Sequence, residues 1–343
     1  MKQIFYQKPG KILFRDDVII PSVQSQDDIK IKIAYCGVCS GNIYRAKGFM
    51  DHWDTETIVP MGHEPSGYIT ELGPEAAKLG FKVGDKVIFN VVFYCGCCRY
   101  CREGRSNLCL NPNSPEIAMA EYAVLPAKQV FKVDDDANMQ QVPFIEPLSV
   151  CLHGFKKLDI QPGSFVAISG GGALGQLMMQ LAKKAGASKV TMIDPLVQKQ
   201  EIALKCGADF VLNPNTQNIL DEAKKITDGY LYDVVVECSG NPKAVKVAYD
   251  IAGFGATIEF ISIYPIGSTL EGIDLHTNFL GKKDIKIVTS FQNPFCWEQA
   301  VKVFKELIIE PLTLKVFKPE DIEEAMAAQE RGECIRSLIQ FSE

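Results

Sequence analysis

The chain has no run of like charges longer than a few residues, and its net charge is −6 over 343 residues. Surfaces that hold nucleic acid or anionic lipid are built from clustered Lys and Arg, so the charge pattern argues against both partners. No uninterrupted apolar stretch is long enough to span a bilayer. The first residues, MKQIFYQKPGKILF, alternate polar and apolar side chains and lack the layout of a signal peptide, so a cytoplasmic address is expected. There is no internal repeat and no low-complexity segment. The composition, 47% apolar and 23% charged, is that of a folded globular protein and leaves little room for disorder.

A chain of 343 residues exceeds one ordinary core, so two domains are expected. Between 165 and 290, short apolar runs alternate with helix-like stretches. The strand candidates are 164–169, 189–194, 210–213, 233–238, 256–261 and 285–288; 173–186 and 242–253 are helix-like. This α/β alternation predicts a doubly wound parallel sheet over 151–290. Residues 1–150 read instead as an irregular β-rich domain, punctuated by Pro9-Gly10, Gly73-Pro74 and Val83-Gly84-Asp85. The tail, 291–343, offers two helices and a strand. It is too small for a core of its own and is expected to return to the first domain.

Cysteine placement is the strongest chemical signal. Among 12 cysteines, Cys95, Cys98, Cys101 and Cys109 follow the spacing C-x₂-C-x₂-C-x₇-C, which lets four thiolates surround one tetrahedral zinc. Such a closed site is structural. Unliganded buried thiols are the bland alternative, and a zinc ribbon reading nucleic acid conflicts with the acidic charge balance. Cys97 reads as a bystander.

The run GGGALG contributes Gly170, Gly172, Ala173, Leu174 and Gly175, with glycines in the G-x-G-x-x-G pattern. It follows a strand and opens a helix, and Asp194 ends the next strand. In that setting the glycines serve a tight turn and close approach to a pyrophosphate, while the carboxylate binds ribose hydroxyls. Asp194 repels a 2′-phosphate, and no arginine follows to receive one. NAD is therefore expected over NADP, with Lys199 as the one candidate phosphate partner.

A third set is dispersed: Cys39, then Gly62-His63-Glu64, then Glu146 in EPL. Cys, His and Glu suit a catalytic zinc that keeps a position open, although each alone reads equally well as an ordinary surface or core residue. Together with VGDKV, EPLSV, VVECSG and the tail EDIEEAMAAQERGE, these motifs make the sequence resemble the medium-chain zinc-dependent alcohol dehydrogenases. The polyol (sorbitol-like) and threonine dehydrogenase branches are the most similar. The resemblance implies a GroES-like catalytic domain split by a Rossmann domain, and two zinc ions per chain. It implies Cys39, His63 and Glu64 as ligands or near-ligands, Glu146 as a further carboxylate acting directly or through water, and Cys36 as a bystander. Tyr44 and Phe49 fall where that family lines its substrate pocket. A homodimer or homotetramer acting on a small alcohol or ketone is implied as well.

The stretch CGVCSGN departs from the family pattern C-x-[ST]-D. Gly41 stands where a relay hydroxyl is usual, and Asn42 where an acid is usual. Asn42 retains a carbonyl oxygen that can orient a ligand histidine, without the negative charge. In the bland reading Ser40 caps a helix. In the sharper one, Gly41 leaves room for a bulky polyol, cyclitol or sugar derivative, and the proton leaves through water, Tyr44 or a carboxylate. The expected activity is hydride transfer from a secondary alcohol to NAD. An NADP(H)-dependent aldehyde or ketone reductase and a non-catalytic zinc/NAD-binding protein are the alternatives.

Overall fold

The computed structural model describes every residue except Pro9, 50–57, 271–272, Lys282, Thr313 and Glu343. The chain forms two compact units. One comprises Met1–Ser149, Pro294–Lys305 and Thr313–Glu343; the other comprises Val150–Asn293 and Glu306–Leu312.

The first unit is built on a mixed sheet. Its central strand, Asp28–Gly37, pairs antiparallel with Glu64–Leu72, with Tyr122–Pro126 and with Arg336–Gln340. Ile29, Ile31 and Ile33 are fully buried while Lys30 and Lys32 alternate with them, which is the period-two pattern of a strand with one face in a core. Val87, Phe89, Leu125 and Ile339 complete that core from neighbouring strands. The expected Gly73-Pro74 turn opens a short helix, Pro74–Lys78, because proline's fixed φ suits the first helical position. Pro9, of the Pro9-Gly10 turn, lies outside the described residues.

The second unit holds six parallel strands in the spatial order Phe210–Leu212, Lys189–Ile193, Phe165–Ser169, Tyr232–Glu237, Ala252–Phe260, Lys286–Thr289. All six correspond to strand candidates from the sequence. The order reverses at Phe165–Ser169, the switch point where such sheets bind ligands beyond their carboxyl ends. The helix read at 242–253 ends at Ile251, because Ala252 already pairs with Tyr232 in the sheet. Among the described residues, no helix is long and apolar enough to cross a membrane.

The tail divides between the units. Its final strand lies beside Asp28–Gly37, whereas Glu306–Leu312 cluster with the second unit. There the buried Gln180 side chain clasps Ile308 twice, donating to its carbonyl at 3.0 Å and accepting from its N–H at 2.7 Å. Each such bond contributes about 0.5–1.5 kcal/mol net, so Gln180→Ala is expected to cost about 1–3 kcal/mol. Urea unfolding measures this; a loss below about 0.5 kcal/mol would show that the clasp adds nothing.

Candidate functional site

The four-cysteine lobe folds around its own sulfurs. A short helix, Arg99–Arg102, and the 3₁₀ turn Ser106–Leu108 bring Cys95, Cys98, Cys101 and Cys109 together, with all ligand atoms within 4.8 Å of one another. The Cys95 and Cys101 sulfurs are 4.0 Å apart. A tetrahedron with Zn–S bonds near 2.3 Å has edges of about 3.8 Å, so the set fits zinc. Backbone amides of Cys98 and Cys97 lower the Cys95 thiol to about 6, favouring the thiolate that binds metal. Cys97 is exposed and outside the set.

A second donor set lies at the end of the central strand. Register pairs Gly37 with Glu64, and the C-x-x-C loop then turns into the helix Ser40–Ala46. Cys39, His63 and Glu64 converge there, their donor atoms all within 4.8 Å of one another. Gly37 is required by space: a Cβ would stand 2.3 Å from Glu64 Oε2. The Glu64 side chain is 1% exposed and lies 3.3 Å from Nε of Arg336, itself 5% exposed. Among the described residues, neither Glu64 oxygen accepts an aligned hydrogen bond. A buried carboxylate with charge compensation and unspent lone pairs suits a metal cation. The tail fixes the loop as well: Val38 donates to the Ser337 carbonyl, and its own carbonyl accepts from Arg336 Nη1 and Gln329 Nε2.

Charges around this set are unequal in effect. Burial pushes the His63 imidazole down, but the Cys39 sulfur and the Glu116 carboxylate reverse that and hold it well above its usual value. Burial lifts the Glu146 carboxyl to about 7; His63 and Arg336 oppose the rise, while Glu64 and Glu116 add to it. The Cys36 thiol is pushed up to about 12 by burial, with Glu64 reinforcing it, so it stays protonated beside the donor set rather than within it.

In the second unit, Gly170 follows the strand Phe165–Ser169, and Gly172 caps the helix Ala173–Lys184 without any side-chain cap bond. The helix therefore begins with unspent amides and the positive end of its dipole, which suits a pyrophosphate. Gly175 packs the helix onto the turn, since a Cβ there would lie 1.8 Å from the Gly170 carbonyl oxygen. Asp194 accepts from the Gly171 N–H at 2.7 Å and the Leu196 N–H at 2.8 Å, which sets a buried carboxylate against the turn. Lys199 is adjacent, in the first turn of Val197–Lys205, and its carbonyl accepts from Gln176.

Comparison with known proteins decides the family. The profile for the alcohol dehydrogenase GroES-like domain matches residues 25–135, and that for zinc-binding dehydrogenase matches residues 173–306. The chain is 30% identical to L-threonine 3-dehydrogenase of Shewanella baltica, covering 99% of this chain and 100% of that protein. It is 28% identical to sorbitol dehydrogenase of Bacillus subtilis, over 93% and 92% of the two chains. A solved chain from Sinorhizobium meliloti 1021, bound to NADP, is 28% identical with a TM-score of 0.89, over 99% and 98%. The chain belongs to the zinc-type medium-chain alcohol dehydrogenase family. It carries that family's GroES-like and Rossmann architecture, and its chemistry is zinc-dependent alcohol oxidoreduction.

Within this dehydrogenase, several residues sit differently from their sequence reading. Ser40 is exposed and does not cap the helix; the cap is Cys39, whose sulfur accepts from the Gly41 N–H at 3.4 Å. Asn42 spends its carbonyl oxygen on the Cys39 N–H at 3.2 Å, not on a histidine. A sulfur already at the cap position leaves Ser40 one residue too far along to reach the free amides. Glu146 is not among the three clustered donors. Tyr44 and Phe49, by contrast, lie side by side as their shared reading requires, with ring centroids 5.9 Å apart and planes tilted at 47°, and Phe49 exposed. Sequence reasoning missed Arg336 and Glu116. A lone arginine inside the apolar run CIRSLIQF was a readable signal for the first; nothing marked the second.

Arg336 balances a buried charge, and removing one partner of such a pair costs about 3–5 kcal/mol. Arg336→Met is expected to destabilise the enzyme by that amount, and adding Glu64→Gln to recover much of it. Denaturant unfolding of the single and double variants measures both. Equal stability of Arg336→Met and the parent would show the pair to be energetically idle.

Proposed function

We propose that this enzyme oxidises a secondary alcohol of a polyol, cyclitol or sugar derivative and passes the hydride to NAD. The observation that carries the reading is the mixed Cys39–His63–Glu64 donor set, since a mixed set of three leaves a coordination position open where a four-thiolate set is closed. Bound there, zinc supplies the Lewis acidity that favours the alkoxide at neutral pH, and the nicotinamide supplies the hydride acceptor. The protein's part is to hold and orient. Glu64, backed by Arg336, brings negative charge to the donor set, and the capped loop fixes the Cys39 sulfur. Gly41 places an amide and no side chain next to that sulfur, consistent with a bulky substituted substrate. Tyr44 and the Glu146 carboxyl are the groups proposed to move the substrate proton, together with water.

Two zinc ions per chain follow from the two donor sets. The proposed partner is a second copy of the chain, giving a dimer or tetramer: Lys286–Thr289 is an edge strand with no outer strand partner among the described residues, and Ile287, Phe254 and Phe279 are exposed on the same unit. Purified enzyme is expected to turn over polyols or inositols with NAD, to lose activity to a chelator, to hold two zinc ions per chain and to sediment as an oligomer. Cys39→Ser is expected to lower the zinc content to one. Zinc bound without turnover of any alcohol would favour a non-catalytic binding protein, and a single zinc unaffected by Cys39→Ser would remove the catalytic-site assignment.

An NADP(H)-dependent reductase is the second reading, favoured by the NADP-bound relative and by Lys199 beside the turn. Asp194 favours NAD, because a carboxylate at the ribose repels a 2′-phosphate. Asp194→Gly is expected to narrow the NAD preference in kcat/KM. Better turnover of the unmodified enzyme with NADP would establish the second reading.

A further inference from the structure

The loop that carries Cys39 lacks the acid its family places three residues on, and Asn42 there is 1% exposed with its oxygen committed to the Cys39 N–H. No carboxylate therefore reaches His63 from that helix. One arrives from a different part of the chain. Glu116 extends its carboxylate between an imidazole and a guanidinium cation, with Oε1 3.6 Å from His63 Nδ1 and Oε2 3.5 Å from Arg45 Nη1.

Three features hold that carboxylate in place. Its segment is strapped to the histidine's own: Ala118 N–H donates to the Gly62 carbonyl and Met119 N–H to that of Met61. Arg45 lies three residues beyond Asn42 on the same helix, is 6% exposed, and stacks over the Tyr6 ring at 4.5 Å. Glu116 itself adopts φ +45°, a left-handed conformation that a side-chain-bearing residue rarely takes without such contacts to fix it.

We infer that Glu116 is the positioning residue for His63, supplying from the segment before Tyr122–Pro126 the carboxylate missing at Asn42. A metal-binding histidine commonly gives its second ring N–H to a carboxylate, which fixes the tautomer and raises the basicity of the ligating nitrogen. Here Nδ1 is the nitrogen on the Glu116 side, so Nδ1 carries the proton and Nε2 is left for the metal. A distance of 3.6 Å is an ion-pair contact, and a shift of about half an ångström brings it within hydrogen-bond range. The inference rests on the proposed Cys39–His63–Glu64 zinc site.

The test uses full-length zinc-loaded enzyme. Glu116→Gln keeps an acceptor for Arg45 and removes the charge. Chelator competition is expected to show the Cys39 site binding zinc about 10–100-fold more weakly, with the four-cysteine site unchanged. Adding Asn42→Asp is expected to restore part of the loss, which a merely structural role for Glu116 does not predict. Nitrogen-15 histidine spectra of the parent enzyme are expected to show His63 protonated at Nδ1, a readout that does not depend on any variant folding. Zinc affinity within about threefold of the parent for Glu116→Gln, or a His63 proton on Nε2, would overturn the inference. If the parent binds zinc only at the four-cysteine lobe, the site reading itself fails, and the two failures are thereby distinguished.

Discussion

The buried carboxylate of Glu64 constrains most of the first unit. An isolated charge out of water is costly, and it persists only where a counter-charge and space are both provided. Arg336 brings the counter-charge from the last strand, and Gly37 provides the space by having no side chain. The antiparallel register that sets Gly37 against both Glu64 and Leu338 is what puts these three at one place. The C-terminal strand thus does more than complete a sheet. It delivers the cation, and through Val38 it also fixes the loop that ends in Cys39.

The two cysteine-bearing sites solve different problems. In the four-cysteine lobe the chain curls on itself within fifteen residues, and the Cys98 and Cys97 amides favour the Cys95 thiolate locally. Nothing distant is needed, which is why the spacing alone made the lobe readable. At Cys39 the surrounding charges come from separated segments: the helix that Cys39 caps, His63 and Glu64 at a strand start, the Glu116 segment, the Glu146 segment and the tail. Each contributes a charge that the others must balance. Replacing an acid by Asn42 is tolerable there because a carboxylate can arrive from elsewhere in the fold, and Glu116 stands in that position.

The nucleotide turn falls between these extremes. Its glycines and Asp194 are close in sequence logic, since a strand–turn–helix unit and the next strand fix their relation. The structure adds the reason the turn holds its shape: Asp194 accepts two backbone N–H groups, one of them from the turn itself. The helix that follows is buried nearly all round, with Gln176 and Gln180 spending their amides on backbone carbonyls of other segments.

What the sequence determined by itself was whatever depends on local spacing. Six apolar runs alternating with helices specify a parallel sheet, four cysteines at short intervals specify a closed thiolate lobe, and G-x-G-x-x-G after a strand specifies the nucleotide turn. Periodicity and chain stiffness act over a few residues, so these needed no distant partner. The tertiary structure alone decided which atom caps the Ser40–Ala46 helix, where the Asn42 oxygen goes, and that Arg336 and Glu116 attend Glu64 and His63. The last two pairings join residues separated by 53 and 272 positions. Charge acts through space, not along the chain, and only the folded register brings such residues within a few ångströms.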